Sequence, residues 1–525
     1  MYVGAGDYDE ALVMIDTLAL IGMGWDSTYI HADSFRTPAV TCHQNGLVRD
    51  IHFSHDYNYQ CLYSDVFNSA GITVLNCKFT DSGTGVHSSL GLTRIEGCIF
   101  SNCSDGVGNY WGTGDLYINN CLFANITSAA IITDTRNLVV TDCIFRDFPN
   151  ATSYGIFQGA SISNNITHNL FCNIAGYGCW GCGDEFYFTN NVFYNFHVWD
   201  NYATAMEQIS SGIDISNNAF VKCDIAFEPV GSIADTVEMH YINLWQNQVD
   251  FSVGSFPRLD TVGLVRADPM FYDAENHDFH LQAFSPLIDA GNPEILDEDG
   301  SRSDIGVFGG PGGMSYEYLD LPPRIPDSLW GYFSNDSVFI GWRMNYETDF
   351  EEYEIYRDTV PNFEPSIFNL MAVYDSCNFF EPRMGPAFAH YYKIAAVDYQ
   401  GNRSDYSEEL GVFLTGIFDE DGLVIPSETA IVNNYPNPFN SQTMLVYAVA
   451  NLGPIPAQIN IEIFDITGRR VRELVNERKG VGNHNVIWDG RDDAGNEVST
   501  GIYFARISQW GISFLNKPLK LTLLR

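Results

Sequence analysis

The sequence predicts an all-β chain: a parallel β-helix followed by two small β-sandwich domains. Three observations carry this. A six-residue motif recurs at a spacing of about 22 residues through the first half of the chain. Apolar residues show no helical periodicity. Beyond residue 324 the sequence breaks into short alternating segments separated by Pro- and Gly-rich stretches.

The motif reads apolar, any, Asn/Asp/Gly, Cys or Asn, any, Phe. Copies include Val74-Leu-Asn-Cys-Lys-Phe79, Ile95-Glu-Gly-Cys-Ile-Phe100, Val140-Thr-Asp-Cys-Ile-Phe145, Ile166-Thr-His-Asn-Leu-Phe171 and Ile215-Ser-Asn-Asn-Ala-Phe220. An early copy is Val48-Arg-Asp-Ile-His-Phe53. The phenylalanines fall at 53, 79, 100, 123, 145, 171, 193 and 220, with spacings of 26, 21, 23, 22, 26, 22 and 27. One coil per repeat, with extra residues looped out at one corner, is the expected arrangement. The first apolar residue and the Cys lie three apart, so strict alternation sends them to opposite faces. A bend between them returns both to the inside. Asn, Asp and Gly suit that bend because they tolerate left-handed backbone angles. Cys and Phe, two apart, then share the inner face, and a further inward residue follows three later at Cys103, Ile126, Phe148, Ile174, Phe196 and Cys223. Leucine-rich repeats need more leucine and a helical segment, and propeller blades need about 40 residues.

Cys77, Cys98, Cys121 and Cys143 occupy one column and are expected to stack inside as small apolar groups. Spacing alone leaves open a disulfide such as Cys98 with Cys103.

After about residue 245 the repeat fades into Ala267-Asp-Pro-Met-Phe, Asp278-Phe-His-Leu, Ser285-Pro-Leu-Ile-Asp-Ala-Gly291 and Asp304-Ile-Gly-Val-Phe-Gly309. This stretch resembles the closing segment of secreted bacterial right-handed β-helix proteins, a family of polysaccharide lyases, glycoside hydrolases and surface proteins. The resemblance spans residues 1–312 and implies the fold and its handedness far more than an activity. Residues 313–323, with Leu321-Pro-Pro323, read as a linker.

Residues 324–413 hold Ser337-Val-Phe-Ile-Gly-Trp342, Tyr353-Glu-Ile-Tyr-Arg357 and Tyr391-Tyr-Lys-Ile-Ala-Ala-Val397. Short strands around a core Trp imply a sandwich, and the pattern resembles a fibronectin type III domain, usually a spacer. A second linker covers 414–430. Residues 431–525 then carry Asn434-Tyr-Pro-Asn-Pro-Phe-Asn440, Ile461-Glu-Ile-Phe-Asp-Ile-Thr-Gly468, Trp488-Asp-Gly-Arg-Asp-Asp-Ala-Gly495 and Thr500-Gly-Ile-Tyr-Phe-Ala-Arg-Ile507. These four motifs, in this order, resemble the type A C-terminal sorting domain of type IX secretion. That resemblance implies the secretion machinery as partner, and an extracellular or outer-membrane-surface location. Pro518 interrupts the family's double-lysine ending. The 489–495 stretch is expected to form a tight hairpin, and the last strand to be accessible to a receptor. Met1-Tyr-Val-Gly-Ala-Gly-Asp-Tyr reads as the middle of a β-rich cap, so an export signal is expected upstream.

Charge agrees with this division. The chain of 525 residues carries 26 Lys+Arg and 66 Asp+Glu, a formal charge of −40. Residues 1–312 hold 10 basic and 37 acidic residues (−27), whereas 430–525 hold 10 and 8 (+2). Such a field repels nucleic acid and anionic membranes. No run of 18 apolar residues marks a transmembrane helix.

Function is less legible. A pectate-lyase-like site implies calcium-holding aspartates with an Arg or Lys base, yet no Lys or Arg lies between Arg146 and Lys222. Arg94 and Arg136 remain as bases outside any motif. The Asn-Thr-Asp, Asp-Asp, Gly-His-Gly set of the family's hydrolases does not occur. Asp184, Glu185 and Glu207, placed in or near middle insertions, are the paired-carboxylate candidates for catalysis. Tyr177, Trp180, Trp199 and Tyr202 are the candidates for stacking on sugar rings. The competing reading is an acidic solvated loop with aromatics packed on the coil. Asp297, Asp299 and Asp304 have acidic spacing suited to calcium, though without an EF-hand's terminal Glu. Cys179-Trp-Gly-Cys182 has metal or redox spacing but no second pair, so plain thiols or a local disulfide compete. In His52-Phe-Ser-His55-Asp56, Phe53 points inward and His52 outward, giving a metal reading with no third ligand. The favoured expectation is a surface protein whose β-helix contacts glycan or matrix. The competing one is a polysaccharide-degrading hydrolase or lyase.

Overall fold

The computed structural model describes residues 1–524 apart from 10, 15–17, 33–36, 44, 57–58, 65–70, 89–90, 110–113, 199–202, 209–212, 230–236, 253–258, 335–336, 383–388, 414–416, 419–423, 426–427, 451–455, 511 and 514–517. Within strands, some side chains, including those of 182–185, are likewise outside the description. The chain divides into two compact units, 1–321 with 346–348, and 322–345 with 349–525.

The first unit is a parallel β-helix with three faces. The coil around Cys98 shows the plan: Thr93–Glu96 on the first face, Ile99–Ser101 on the second, Asp105–Asn109 on the third. Each strand pairs in parallel register with its equivalent one coil away, as in Ile95↔Ile118, Phe100↔Phe123 and Val107↔Ile131. The second face is an 11-stranded sheet. The other two faces are continuous with one another, because Tyr154–Thr167 and Tyr177–Thr189 run from the third face into the first without a break.

The bend between the first and second faces is as expected. Its residue has positive φ in coil after coil: Asp50 (59°), Asn76 (49°), Gly97 (63°), Asn120 (50°), Asp142 (55°), His168 (56°), Asn190 (55°), Asn217 (56°) and Tyr241 (55°). A second left-handed column, from Asp81 through Asn102, Asn125, Asp147, Asn173 and Asn195 to Lys222, follows the second face. From Asp50 onward the first bend is constant in length, whereas in the first coil Ile21 to Tyr29 spans eight positions where Arg49 to His52 spans three. Residue insertions fall at both other corners, Phe148 to Tyr154 and Ser64 to Ile72 for example, which corrects the one-corner expectation. Within the stacked coils the short bend is the fixed element, and the two remaining corners take up the variation in repeat length.

The eight phenylalanines of the motif are fully buried and stack ring on ring, with centroids 4.5–5.2 Å apart from Phe53 to Phe220. Beside them runs the Cys/Asn column. The Cys98 N–H donates to Cys121 Sγ (3.4 Å), and Cys121 Sγ donates to Asn119 O (3.2 Å). In later coils asparagine makes the same two bonds. The Asn169 N–H donates to Asn191 Oδ1 (3.0 Å), and Asn191 Nδ2 donates to Thr189 O (3.0 Å). Every cysteine whose side chain is described is a free thiol, Cys98 and Cys103 included. Burial pushes Cys42 and Cys172 up to about 12, so these thiols stay protonated and inert.

Residues 263–265 carry the coil one step further, Val265 pairing with Asn243 and Leu264 packing on the inner core, and the segment 266–321 follows. It folds back along the outside of the second face. Phe271, Phe279, Leu281, Leu287 and Ile305 pack on the outward residues Leu170, Cys172, Val192, Tyr194, Ala219 and Val221. The left-handed bend residues anchor it: Asn190 Nδ2 donates to Gly306 O (3.1 Å), and Asn217 Oδ1 accepts the Asn292 N–H (2.7 Å).

The second unit holds two antiparallel modules. In the first, Trp330–Ser334, Ser337–Gly341 and Asn378–Pro382 form one sheet. Leu370–Tyr374, Phe350–Asp358, Ala389–Asp398 and Leu410–Phe413 form the other, around a fully buried Trp342. The second module closes on buried Trp488. Its turn is tied by Asp492 Oδ1, which accepts the Ala494 and Asn496 N–H groups. Its last strand, Leu519–Leu523, is zipped against Gly501–Gln509 with Leu521 and Leu523 fully buried. That strand is thus an integrated edge rather than a loose one, because its alternate leucines complete the core. No helix among the described residues is long and apolar enough to cross a membrane.

Candidate functional site

Parallel in-register coils bring residues one repeat apart to neighbouring positions, about 4.8 Å apart across the ladder. On the third face this assembles a strip from four strands. Tyr154, Tyr177 and Thr204 are successive partners, as are Phe157, Trp180, Glu207 and Glu228. Tyr154 and Tyr177 stack at 4.9 Å, and Phe157 and Trp180 stack at 4.5 Å with planes 5° apart. The ring faces are therefore spent on each other, and half-buried ring edges meet solvent. Inward neighbours Ile156, Cys179, Met206 and Phe227 are fully buried and hold the strands in place.

The acidic end of the strip is hydrogen-bonded. Trp180 Nε1 donates to Glu207 Oε1 (2.8 Å). Glu228 accepts Thr204 Oγ1 (3.4 Å) and Ser252 Oγ (3.3 Å). Burial, and then the charge of Glu228, raise Glu207 above the usual carboxylate range, against the Trp180 bond. Burial and the charge of Glu207 likewise raise Tyr154 and Tyr177. No Lys or Arg lies in these strands.

Of the residues singled out from sequence, Tyr177, Trp180 and Glu207 come together here. Asp184 and Glu185 sit within the strand Tyr177–Thr189 where it passes from third face to first, Glu185 in register with Ser163. Their side chains are outside the described set, but their backbone is strand rather than insertion, as is that of Glu207. Trp199 and Tyr202 lie outside the described residues. Tyr154, Phe157 and Glu228 were missed, and stepping one coil length back from Tyr177 and Trp180 and one forward from Glu207 would have found them.

Other candidates lie elsewhere. The Arg94 guanidinium sits 5.0 Å above the Tyr117 ring on the first face, and Arg136 is exposed at a corner. Asp304 accepts the Asp289 N–H (2.9 Å) and the Tyr318 hydroxyl (2.7 Å). Asp297 accepts the Asp304 and Gly310 N–H groups, and Asp299 accepts the Ser301 N–H and hydroxyl. The three carboxylates thus tie the closing loop to itself. Cys179 points into the core, and the Cys182 side chain is outside the description. His55 is buried and bonded to Thr37 O (2.9 Å), so it does not join His52 on the outer face.

Comparison with known proteins supports the architecture. Residues 39–193 match the model of the right handed beta helix region, and residues 451–511 match that of the FlgD Ig-like domain. No curated protein matches the chain. Among solved structures, the FN1-FN3 domains of chicken CNTN1 are 11% identical over 40% of this chain and 71% of that one, with a TM-score of 0.18. The chicken interferon gamma receptor alpha chain is 8% identical over 38% of this chain and 98% of its own, with a TM-score of 0.16. Chitinase ChiA74 from Bacillus thuringiensis is 15% identical over 38% and 30%, at 0.16. Scores this low carry no structural argument. The family match and the coils together make this a right-handed β-helix protein, continued by small antiparallel β domains.

Proposed function

We propose that this is a secreted or cell-surface protein, exported by type IX secretion through residues 431–525, whose β-helix contacts a glycan or matrix polymer along its third face. The observation that carries the contact reading is the strip of Tyr154, Phe157, Tyr177 and Trp180 running into Glu207 and Glu228. The Tyr154 and Tyr177 hydroxyls and the two carboxylates offer hydrogen bonds to sugar hydroxyls, and the half-buried ring edges add apolar contact without stacking. A strip that follows the coil axis suits an extended chain. The acidic balance of the β-helix favours a neutral polymer over an anionic one. Affinity electrophoresis against a panel of neutral and acidic polysaccharides tests this. The Tyr177→Ala/Trp180→Ala double variant should lose at least ~10-fold in affinity, ~1.4 kcal/mol. Unchanged binding, or no polymer bound, refutes it. Normal surface display of a chain lacking 431–525 refutes the export reading.

One observation favours a catalytic alternative. Glu207 and Glu228 are register neighbours of unequal environment. Retaining glycosidases use two carboxyls about 5–5.5 Å apart, one with a raised pKa. Release of reducing sugar that Glu207→Gln abolishes would establish this reading, and absence of release across the panel removes it.

A further inference from the structure

The outer surface of the second face, in the N-terminal coils, holds a different cluster. His31, on Thr28–Ala32, is the register partner of Ser54, on His52–His55. His31 Nδ1 lies 2.8 Å from Ser54 Oγ, and His31 Nε2 lies 3.2 Å from Asp56 Oδ1. Asp56 is held at this position because its N–H donates to Ala32 O (3.2 Å). Hydroxyl, imidazole and carboxylate are thereby connected in series, and the imidazole is partly open to solvent at 31% exposure. Thr80 is the partner of Ser54 on the following coil, and Lys78 is the partner of His52. His52 Nε2 lies 2.9 Å from Thr80 Oγ1. Burial, and then Lys78, hold His52 down at about 4, so it is neutral at pH 7.

A hydroxyl whose proton faces an imidazole, itself oriented by a carboxylate, is an activated nucleophile, recognised by geometry and not by chain order. We infer that Ser54 is an acyl-accepting nucleophile, with His31 as its general base and Asp56 as the group orienting His31, and that the site hydrolyses carboxylic esters of short acyl groups. Ser54 Oγ bonds to the ester carbonyl carbon as its proton passes to His31 Nδ1. The bond from that carbon to the alkoxy oxygen breaks, and His31 returns the proton to the leaving alcohol. Water then attacks the acyl-serine through the same base, releasing the acid and restoring Ser54. Asp56 accepts the Nε2–H and balances the imidazolium. Thr80, the register partner of Ser54, is the neighbouring hydroxyl that would donate to the developing oxyanion. A short acyl group is expected because His31, Thr80 and Ser101 continue the Ser54 column as a polar ladder. An open sheet suits ester groups carried on a polymer.

This inference does not depend on the glycan strip, which lies on another face. The test uses the full chain with 4-nitrophenyl acetate, 4-nitrophenyl octanoate and a fluorophosphonate probe followed by peptide mapping. The acetate should turn over at least ten times faster than the octanoate, with the probe on Ser54. Ser54→Ala should remove both signals with an unchanged circular-dichroism spectrum. Asp56→Asn should lower kcat at least tenfold with little change in KM. Absence of probe at Ser54, or acetate hydrolysis surviving in Ser54→Ala, overturns the assignment. Labelling of the unmutated chain decides it even where a variant fails to fold.

Discussion

Phe123 lies between Phe100 and Phe145, at 4.8 and 5.0 Å, with no exposed surface. Phe123→Ala removes one ring from the middle of a stack that cannot close, since both neighbours are fixed by their own ladders. The expected cost is ~3–5 kcal/mol, measured by denaturant unfolding. The neighbouring column separates chemistry from shape. Cys121→Ala removes a weak sulfur acceptor from Cys98 N–H. Asn191→Ala instead leaves the buried Asn169 N–H donor without its amide-oxygen acceptor and also removes the two bonds that Asn191 Nδ2 donates to Ile166 O and Thr189 O. Each buried donor left unmatched costs ~1–3 kcal/mol, so Asn191→Ala should destabilise more than Cys121→Ala despite the similar position. Equal costs refute the ladder reading. Asp304 gives a pH signature. Burial raises it from 3.8 to about 6, so the folded chain holds the proton more tightly than the unfolded one. Its contribution is therefore most favourable below about pH 4 and is lost as pH rises through about 6. The stability difference between wild type and Asp304→Asn should fall over that window, and a difference that rises with pH contradicts it.

At the scale of elements, the cover formed by 266–321 explains a change along the second face. Outward positions in early coils are Lys78, Thr80, Ile99 and Ser101, whereas later ones are Leu170, Cys172, Val192, Tyr194, Ala219 and Val221. Phe279→Ala, at the centre of the cover, should cost ~3–5 kcal/mol. It should also expose the later coils to an apolar dye while leaving the far-ultraviolet spectrum unchanged. The coils themselves were legible because one motif repeats its physics: a left-handed bend at Asn76 or Asn120, an inward Cys or Asn, an inward Phe. The cover was not, since its contacts, Asn190 to Gly306 for example, join irregular backbone to residues more than a hundred positions away. The strip was half legible. Tyr177, Trp180 and Glu207 stand out as residue types, but Tyr154, Phe157 and Glu228 become neighbours only once the coil register is known. The Ser54–His31–Asp56 series hid for the same reason. Local spacing grouped His52, His55 and Asp56, while the coil turned His55 inward and delivered His31 from the strand before.

At the scale of the molecule, the β-helix is a one-dimensional object, in which each coil answers chiefly to the coils above and below. Deleting residues 102–124 removes one whole repeat and joins Ser101 to Asn125. Both ends of the junction are then equivalent positions: a residue leaving the second face and a left-handed Asn, as in Ala124-Asn125. Phe100 meets Phe145, Cys98 meets Cys143, and Ile95 meets Val140, each a pairing of like with like. The shortened chain should fold, unfold cooperatively and lose only the stability of one coil and one interface. Deleting 102–113 instead removes a fraction of a repeat. It sends the inward residues Leu116, Ile118 and Phe123 to positions that no longer match the ladders of either neighbour. That chain should fail to fold although it is closer to full length. Soluble expression and thermal unfolding of the two deletions, side by side, distinguish the cases. If the longer deletion proves the more damaging, stability depends on chain length and total core, and the nearest-neighbour account of this protein is wrong.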